Sequence, residues 1–201
     1  MTVVNMQADE QHVPMTVDDL ERLPDDGRRY ELVDERLDVS PAPVSIHSLV
    51  EARLCGYLGF EVAPADFVVM QGAGINFNAN RTHHRIPDVV VLNETDFEQP
   101  YLTRPPLLAI EVVSPESIIR DHHTKPREYA DFGIQAYWIV TPDEEKPGIV
   151  ELLLEHGEYR EVQQVLGEDT FVTDFPFPIK LVSHWLLAKG PWRERIGGEG
   201  D

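Results

Sequence analysis

The chain has 201 residues, 36 acidic against 17 basic, and a formal net charge of −19 at neutral pH. That length suits one α/β domain able to fold without staples, while the charge argues against general nucleic-acid affinity, which rests on Lys and Arg displacing counterions from phosphates. No run approaches the roughly 20 apolar residues of a membrane span, the first residues lack a signal peptide's apolar core, and Cys55 is the only cysteine, so a cytoplasmic protein without a thiolate cluster is expected.

Residues 1–15 are polar and unpatterned and read as a disordered N-terminus, ahead of one domain over 16–188. Thr16 with Asp19 three residues on has a capping-box pattern, and Pro24 and Gly27 end that short helix. Tyr30–Leu32 and Arg36–Val39 form an expected hairpin, closed off by Pro41-Ala42-Pro43. Ser45 caps a helix running to about Gly59, with Ile46, Leu49, Val50, Leu54 and Leu58 at the spacing of one buried face. Phe67–Met70 and Ile75–Phe77 follow as strands broken at Gly72 and Gly74.

Ile86–Leu92 and Leu107–Val113 are short, almost wholly apolar runs, the composition of central strands covered on both faces. After a loop at Ser114–Ser117, a helix starting near Thr124 ends at Gly133, and Ala136–Val140 is a further strand. Val150–Leu154 and Tyr159–Val165 straddle His156-Gly157 as a second hairpin, and residues 189–201 read as a disordered tail. Trp138, Tyr137 and Phe132 read as core.

Each central strand carries one carboxylate, Asp88 and Glu111. A charge there is costly unless a cation or several hydrogen bonds compensate it. Strand side chains alternate, so Asp88 shares a face with Val90 and Leu92, and Glu111 with Ala109 and Val113. On adjacent strands the two converge, and oxygen ligands of this kind suit Mg²⁺ or Mn²⁺. Adjacent strand histidines such as His83-His84 point to opposite faces, which disfavours zinc, and Gly72-x-Gly74 lacks the lysine of a phosphate-cradling loop.

Pro87-Asp88 followed by Glu111 is similar to the PD-(D/E)xK nuclease signature. With Tyr30-Glu31-Leu32-Val33-Asp34, His47, Glu111-Val112-Val113-Ser114-Pro115, Arg120-Asp121, Lys125, Tyr129, Gly133 and Tyr137-Trp138, the order resembles the Uma restriction-endonuclease family over roughly residues 16–187. The resemblance implies an α/β (α+β) restriction-endonuclease-like fold, a mixed β-sheet flanked by helices with N-terminal and C-terminal β-hairpins. It also implies a homodimer that hydrolyses DNA to 5′-phosphate ends.

Within that pattern Asp88 and Glu111 would bind the metal. Glu31 is the candidate third carboxylate, and His47, Asp121 and Tyr129 are candidates for substrate binding. The signature's lysine position is Val113 here, and Lys125 is the expected replacement, four residues from both Asp121 and Tyr129. Pro126 places the helix start near Thr124, with Asp121 just before it. Glu35 stands where the resembling proteins carry glycine. The alternative is a non-catalytic protein that keeps the nuclease fold for oligomerisation or regulation, favoured by the acidic balance and the missing strand lysine.

Overall fold

The structure is a computed structural model that describes residues 14–198. The segment expected to be disordered at the N-terminus lies, up to residue 13, outside the described residues, as do residues 199–201.

The N-terminal part comprises α1 (Val17–Leu20), β1 (Arg29–Val33) and β2 (Arg36–Ser40). The capping box forms as the sequence requires: Thr16 N–H donates to Asp19 Oδ2 at 2.9 Å. The β1–β2 hairpin turns through Asp34 and Glu35 at φ of 47° and 69°. Left-handed backbone at Glu35 is why a glycine would be at ease there.

Next come α2 (Ser45–Tyr57), β3 (Phe67–Gln71), β4 (Ile75–Asn76), β5 (His84–Arg85), β6 (Val89–Asn93) and β7 (Leu108–Val112). They are followed by α3 (Lys125–Phe132), β8 (Ala136–Thr141), β9 (Gly148–Glu155) and β10 (Glu158–Leu166). The chain ends in β11 (Thr170–Thr173), β12 (Ile179–Val182) and α4 (Trp192–Arg195).

The central sheet has the order β10-β9-β8-β7-β6-β3, and β7–β8 is its one parallel pair. Parallel neighbours need a long crossover, and α3 supplies it. A smaller sheet, β2-β1-β5-β4, stands beside the first. This is the expected mixed sheet flanked by helices.

Alternation along β6, β7 and β8 divides the core in two. Val89, Val91, Ile110, Val112 and Trp138 pack with Val50 and Leu54 of α2, with Leu58 just after it, and with Phe171, Ile179 and Ile196. Val90, Leu92, Ala109, Val113 and Tyr137 pack with Tyr129 and Ile134. Burial on both faces explains why these strands read as unbroken apolar runs.

Four expectations need correction. The strand expected from Ile86 begins at Val89, because Pro87 has no N–H and the Ile86 N–H is taken by Glu31 Oε1 at 2.7 Å. The helix expected near Thr124 begins earlier, at Ile118, through a wide π-helical turn at Arg120–Thr124 that accommodates Pro126. Leu49 is 39% exposed, and the inward face of α2 is instead His47, Val50, Glu51 and Leu54. In the expected disordered tail, α4 forms and Ile196 is fully buried, its carbonyl accepting the Val182 N–H at 2.8 Å.

Candidate active site

Asp88 and Glu111 come together because β6 and β7 are antiparallel neighbours in the register Val89↔Ile110. One further step sets Asp88 opposite Glu111. Both are almost completely buried, and both line one cleft of about 590 Å³.

Their oxygens are engaged very differently. Asp88 Oδ2 accepts the Val112 N–H at 2.7 Å and lies 3.1 Å from His47 Nε2, while Oδ1 accepts from Arg29 Nη1. Glu111 Oε1 takes both the Tyr129 hydroxyl at 2.6 Å and Lys125 Nζ at 2.8 Å, leaving Oε2 with no hydrogen bond among the described residues.

The helix that begins at Ile118 delivers the cation that β7 lacks. Lys125, buried beneath the cleft, lies 2.8 Å from Glu111 and 3.1 Å from Asp121 Oδ1, one helical turn away. The Asp121 contact lacks hydrogen-bond geometry, so this buried oxygen has no hydrogen-bond donor among the described residues. Tyr129, one turn further on, is fully buried and does not line the cleft. A substrate contact by Tyr129 is therefore corrected: it orients Glu111.

Glu31 also departs from its expected part. It borders the cleft, but Oε1 holds the Ile86 N–H and Oε2 accepts from Arg85 Nη1 at 3.2 Å. Arg85, itself fully buried, also pairs with Asp38 of β2 and, at 2.7 Å, with Glu128 of α3. Glu31 is thus a strut that fixes the segment leading into Asp88, through an arginine that fastens β1 and β2 to α3.

His47 enters the cleft from the first turn of α2. One turn on, buried Glu51 has Oε2 3.7 Å from His47 Nδ1, a nitrogen with no hydrogen-bond partner among the described residues. Among the described residues, His47, Glu51 and Asp88 have ligand atoms within 4.8 Å of one another, the one such group of three or more. Of the expected metal pair, Asp88 belongs to this group and Glu111 stands across the cleft from it.

The charge balance explains the electrostatics. Burial alone would raise Asp88, but His47 and Arg29 beside it bring its carboxyl down to about 2. Burial raises Glu111 to about 8: Lys125 pulls it down, but Asp88, Asp121 and Glu31 push it up. The Lys125 ammonium is strengthened, burial being outweighed by Glu111, Glu31 and Asp121. The carboxylates of Asp88, Asp121 and Glu31 therefore crowd Glu111. A hard divalent cation fits this set, through the oxygens of Asp88 and Glu111 with His47 and Glu51 alongside, and the poorly satisfied Asp121 oxygen, His47 nitrogen and Glu111 Oε2 mark where polar capacity remains.

Sequence reading missed Glu51, Arg29 and Arg85. Glu51 has a signal, since it stands four residues after His47 on one helical face. Arg29 and Arg85 have none, because only tertiary pairing brings them to Asp88 and Glu31.

No curated protein matches the chain. Among solved structures, the crystal structure of a protein titled a putative nuclease belonging to DUF820, from Anabaena variabilis, superposes with a TM-score of 0.62. It is 17% identical, with 81% of this chain and 90% of that chain covered, and so it supports the fold alone. A sequence model of the Uma2 family, described as "Putative restriction endonuclease", matches residues 17–182. With that match spanning the central sheet and the whole carboxylate cleft, the chain belongs to the Uma2 family.

Proposed function

We propose that this chain is a cytoplasmic, Mg²⁺- or Mn²⁺-dependent endonuclease that hydrolyses DNA phosphodiester bonds. The observation that carries the reading is the pair of buried carboxylates, Asp88 and Glu111, set opposite each other on adjacent strands in one cleft, with Lys125 Nζ 2.8 Å from Glu111. When bound, a divalent cation supplies Lewis-acid polarisation of the phosphodiester and activation of water.

The chain's own residues supply the rest. Asp88 and Glu111 hold the cation, and His47 and Glu51 add donors beside Asp88. Tyr129 fixes the Glu111 carboxylate through Oε1. The Lys125 ammonium, pinned between Glu111 and Asp121, keeps its proton and offers positive charge where the phosphate gains negative charge. Presenting both strands of a duplex takes two such clefts, and a homodimer is part of the proposal.

Cleavage of supercoiled plasmid with Mg²⁺ tests the reading. Asp88→Ala should abolish cutting while circular dichroism shows the fold retained. Undiminished cutting by a folded Asp88→Ala protein would remove the site assignment.

A second reading has its own support: the oxygens of Asp88 and one oxygen of Glu111 are already engaged by protein donors. A non-catalytic relic of the fold, kept for oligomerisation or regulation, would need nothing more. Calorimetric titration with Mn²⁺ separates the two, since the relic has no stoichiometric binding that depends on both carboxylates.

A further inference from the structure

Four side chains bring positive charge to the cleft: Arg29, His47, Arg120 and Lys125. Three of them are committed. Lys125 is buried between two carboxylates, His47 sits between Asp88 and Glu51, and Arg120 spends Nη1 on Asp38 and Nη2 on Ser40.

Arg29 differs. Its Nη1 donates to Asp88 Oδ1 and, at 3.2 Å, to the Ile86 carbonyl, while Nε and Nη2 make no hydrogen bond among the described residues. Those nitrogens are not among the buried atoms lacking partners, and the side chain is 24% exposed. The guanidinium therefore has one edge on Asp88 and a second edge open to the cleft.

Two physical facts then meet. A guanidinium on a carboxylate repels a second cation arriving at that carboxylate, strongly so where burial weakens solvent screening. The open edge, with parallel N–H donors, matches two oxygens of a phosphate, a fit that a lysine ammonium does not offer. The Ile86 carbonyl keeps the guanidinium at the cleft even when its hold on Asp88 is loosened.

We propose that Arg29 is both the counter-cation of Asp88 before the divalent ion binds and the clamp that holds the scissile phosphate afterwards. This inference rests on the metal-dependent reading above. Metal entry turns the guanidinium from the carboxylate towards the phosphodiester, so Arg29 lowers metal affinity and raises substrate affinity. No bond is made or broken in this exchange, only ion pairs.

The test combines Mn²⁺ titration calorimetry without DNA and cleavage kinetics with Mg²⁺, on the full chain carrying Arg29→Gln or Arg29→Lys. Arg29→Gln should bind Mn²⁺ about tenfold more tightly than wild type, because a like charge is gone from the ligand. It should also raise KM for DNA about tenfold or more. Arg29→Lys should bind Mn²⁺ near the wild-type affinity yet share the raised KM, since it keeps the charge and loses the fork.

Equal or weaker Mn²⁺ binding by a folded Arg29→Gln protein overturns the inference while leaving the metal site standing. If the glutamine variant does not fold, an unchanged KM in Arg29→Lys overturns it instead. Wild type without Asp88-dependent Mn²⁺ binding brings down the functional reading, and this inference with it.

Discussion

Glu111 shows how one residue couples the site to stability. Its carboxyl is raised to about 8 in the folded metal-free chain against an ordinary value near 4.5, chiefly by burial. The folded state then holds a proton that the unfolded state has released across that window, so the stabilising contribution is complete below about 4.5 and is lost as pH rises through about 8. The expected outcome is a melting temperature that falls between about pH 5 and 8 in chelator, a slope that flattens in Glu111→Gln. Arg85 makes a second prediction at this scale. Its guanidinium is 1% exposed and pairs with Glu31, Asp38 and Glu128, so Arg85→Met leaves carboxylates without their partner. Urea denaturation should show a loss of about 3–5 kcal/mol. The two carboxylates were legible in sequence because a charge inside an apolar strand is conspicuous. Arg29, Arg85 and Glu51 were not, because nothing local distinguishes them from surface charges until the fold pairs them.

At the scale of elements, the ammonium beside Glu111 comes from a helix and not from the strand. Val113 follows directly on β7, on the same side as Glu111, and lines the cleft, whereas Lys125 reaches the same carboxylate from α3. Removing the ammonium in Lys125→Ala should lower the cleavage rate by about 10²–10³-fold. Restoring a lysine on the strand, as Val113→Lys in that background, should recover at least about tenfold, measured as single-turnover cleavage. No recovery would mean that the lysine does more on its helix than place charge. Periodicity located β6, β7 and β8 because their burial is almost uniform along each element. It failed at the start of α3, where a π-helical turn reconciles Pro126 with a continuous helix, and on α2, whose inward face carries His47 and Glu51 and so breaks the apolar pattern. The hairpin β11–β12 and the turn at Trp192–Arg195 were missed because each is too short to show a period.

For the whole molecule, the net charge of −19 and the few cations of the cleft would set the terms on which the proposed DNA substrate is met. With Arg29 and Lys125 the cleft cations offered to phosphates, log affinity against log salt should have a shallow slope of about −2. Fluorescence anisotropy with Ca²⁺ in place of Mg²⁺ measures this, and a slope near −6 would require a basic surface outside the cleft. Light scattering should find a dimer, and a monomer at high concentration would contradict that part of the proposal. The most direct measurement is anomalous diffraction from a crystal of this protein soaked in Mn²⁺. The account predicts one strong peak within about 2.0–2.4 Å of carboxylate oxygens from both Asp88 and Glu111. A soaked crystal with no manganese at these two side chains, or with manganese bound only elsewhere, would contradict it.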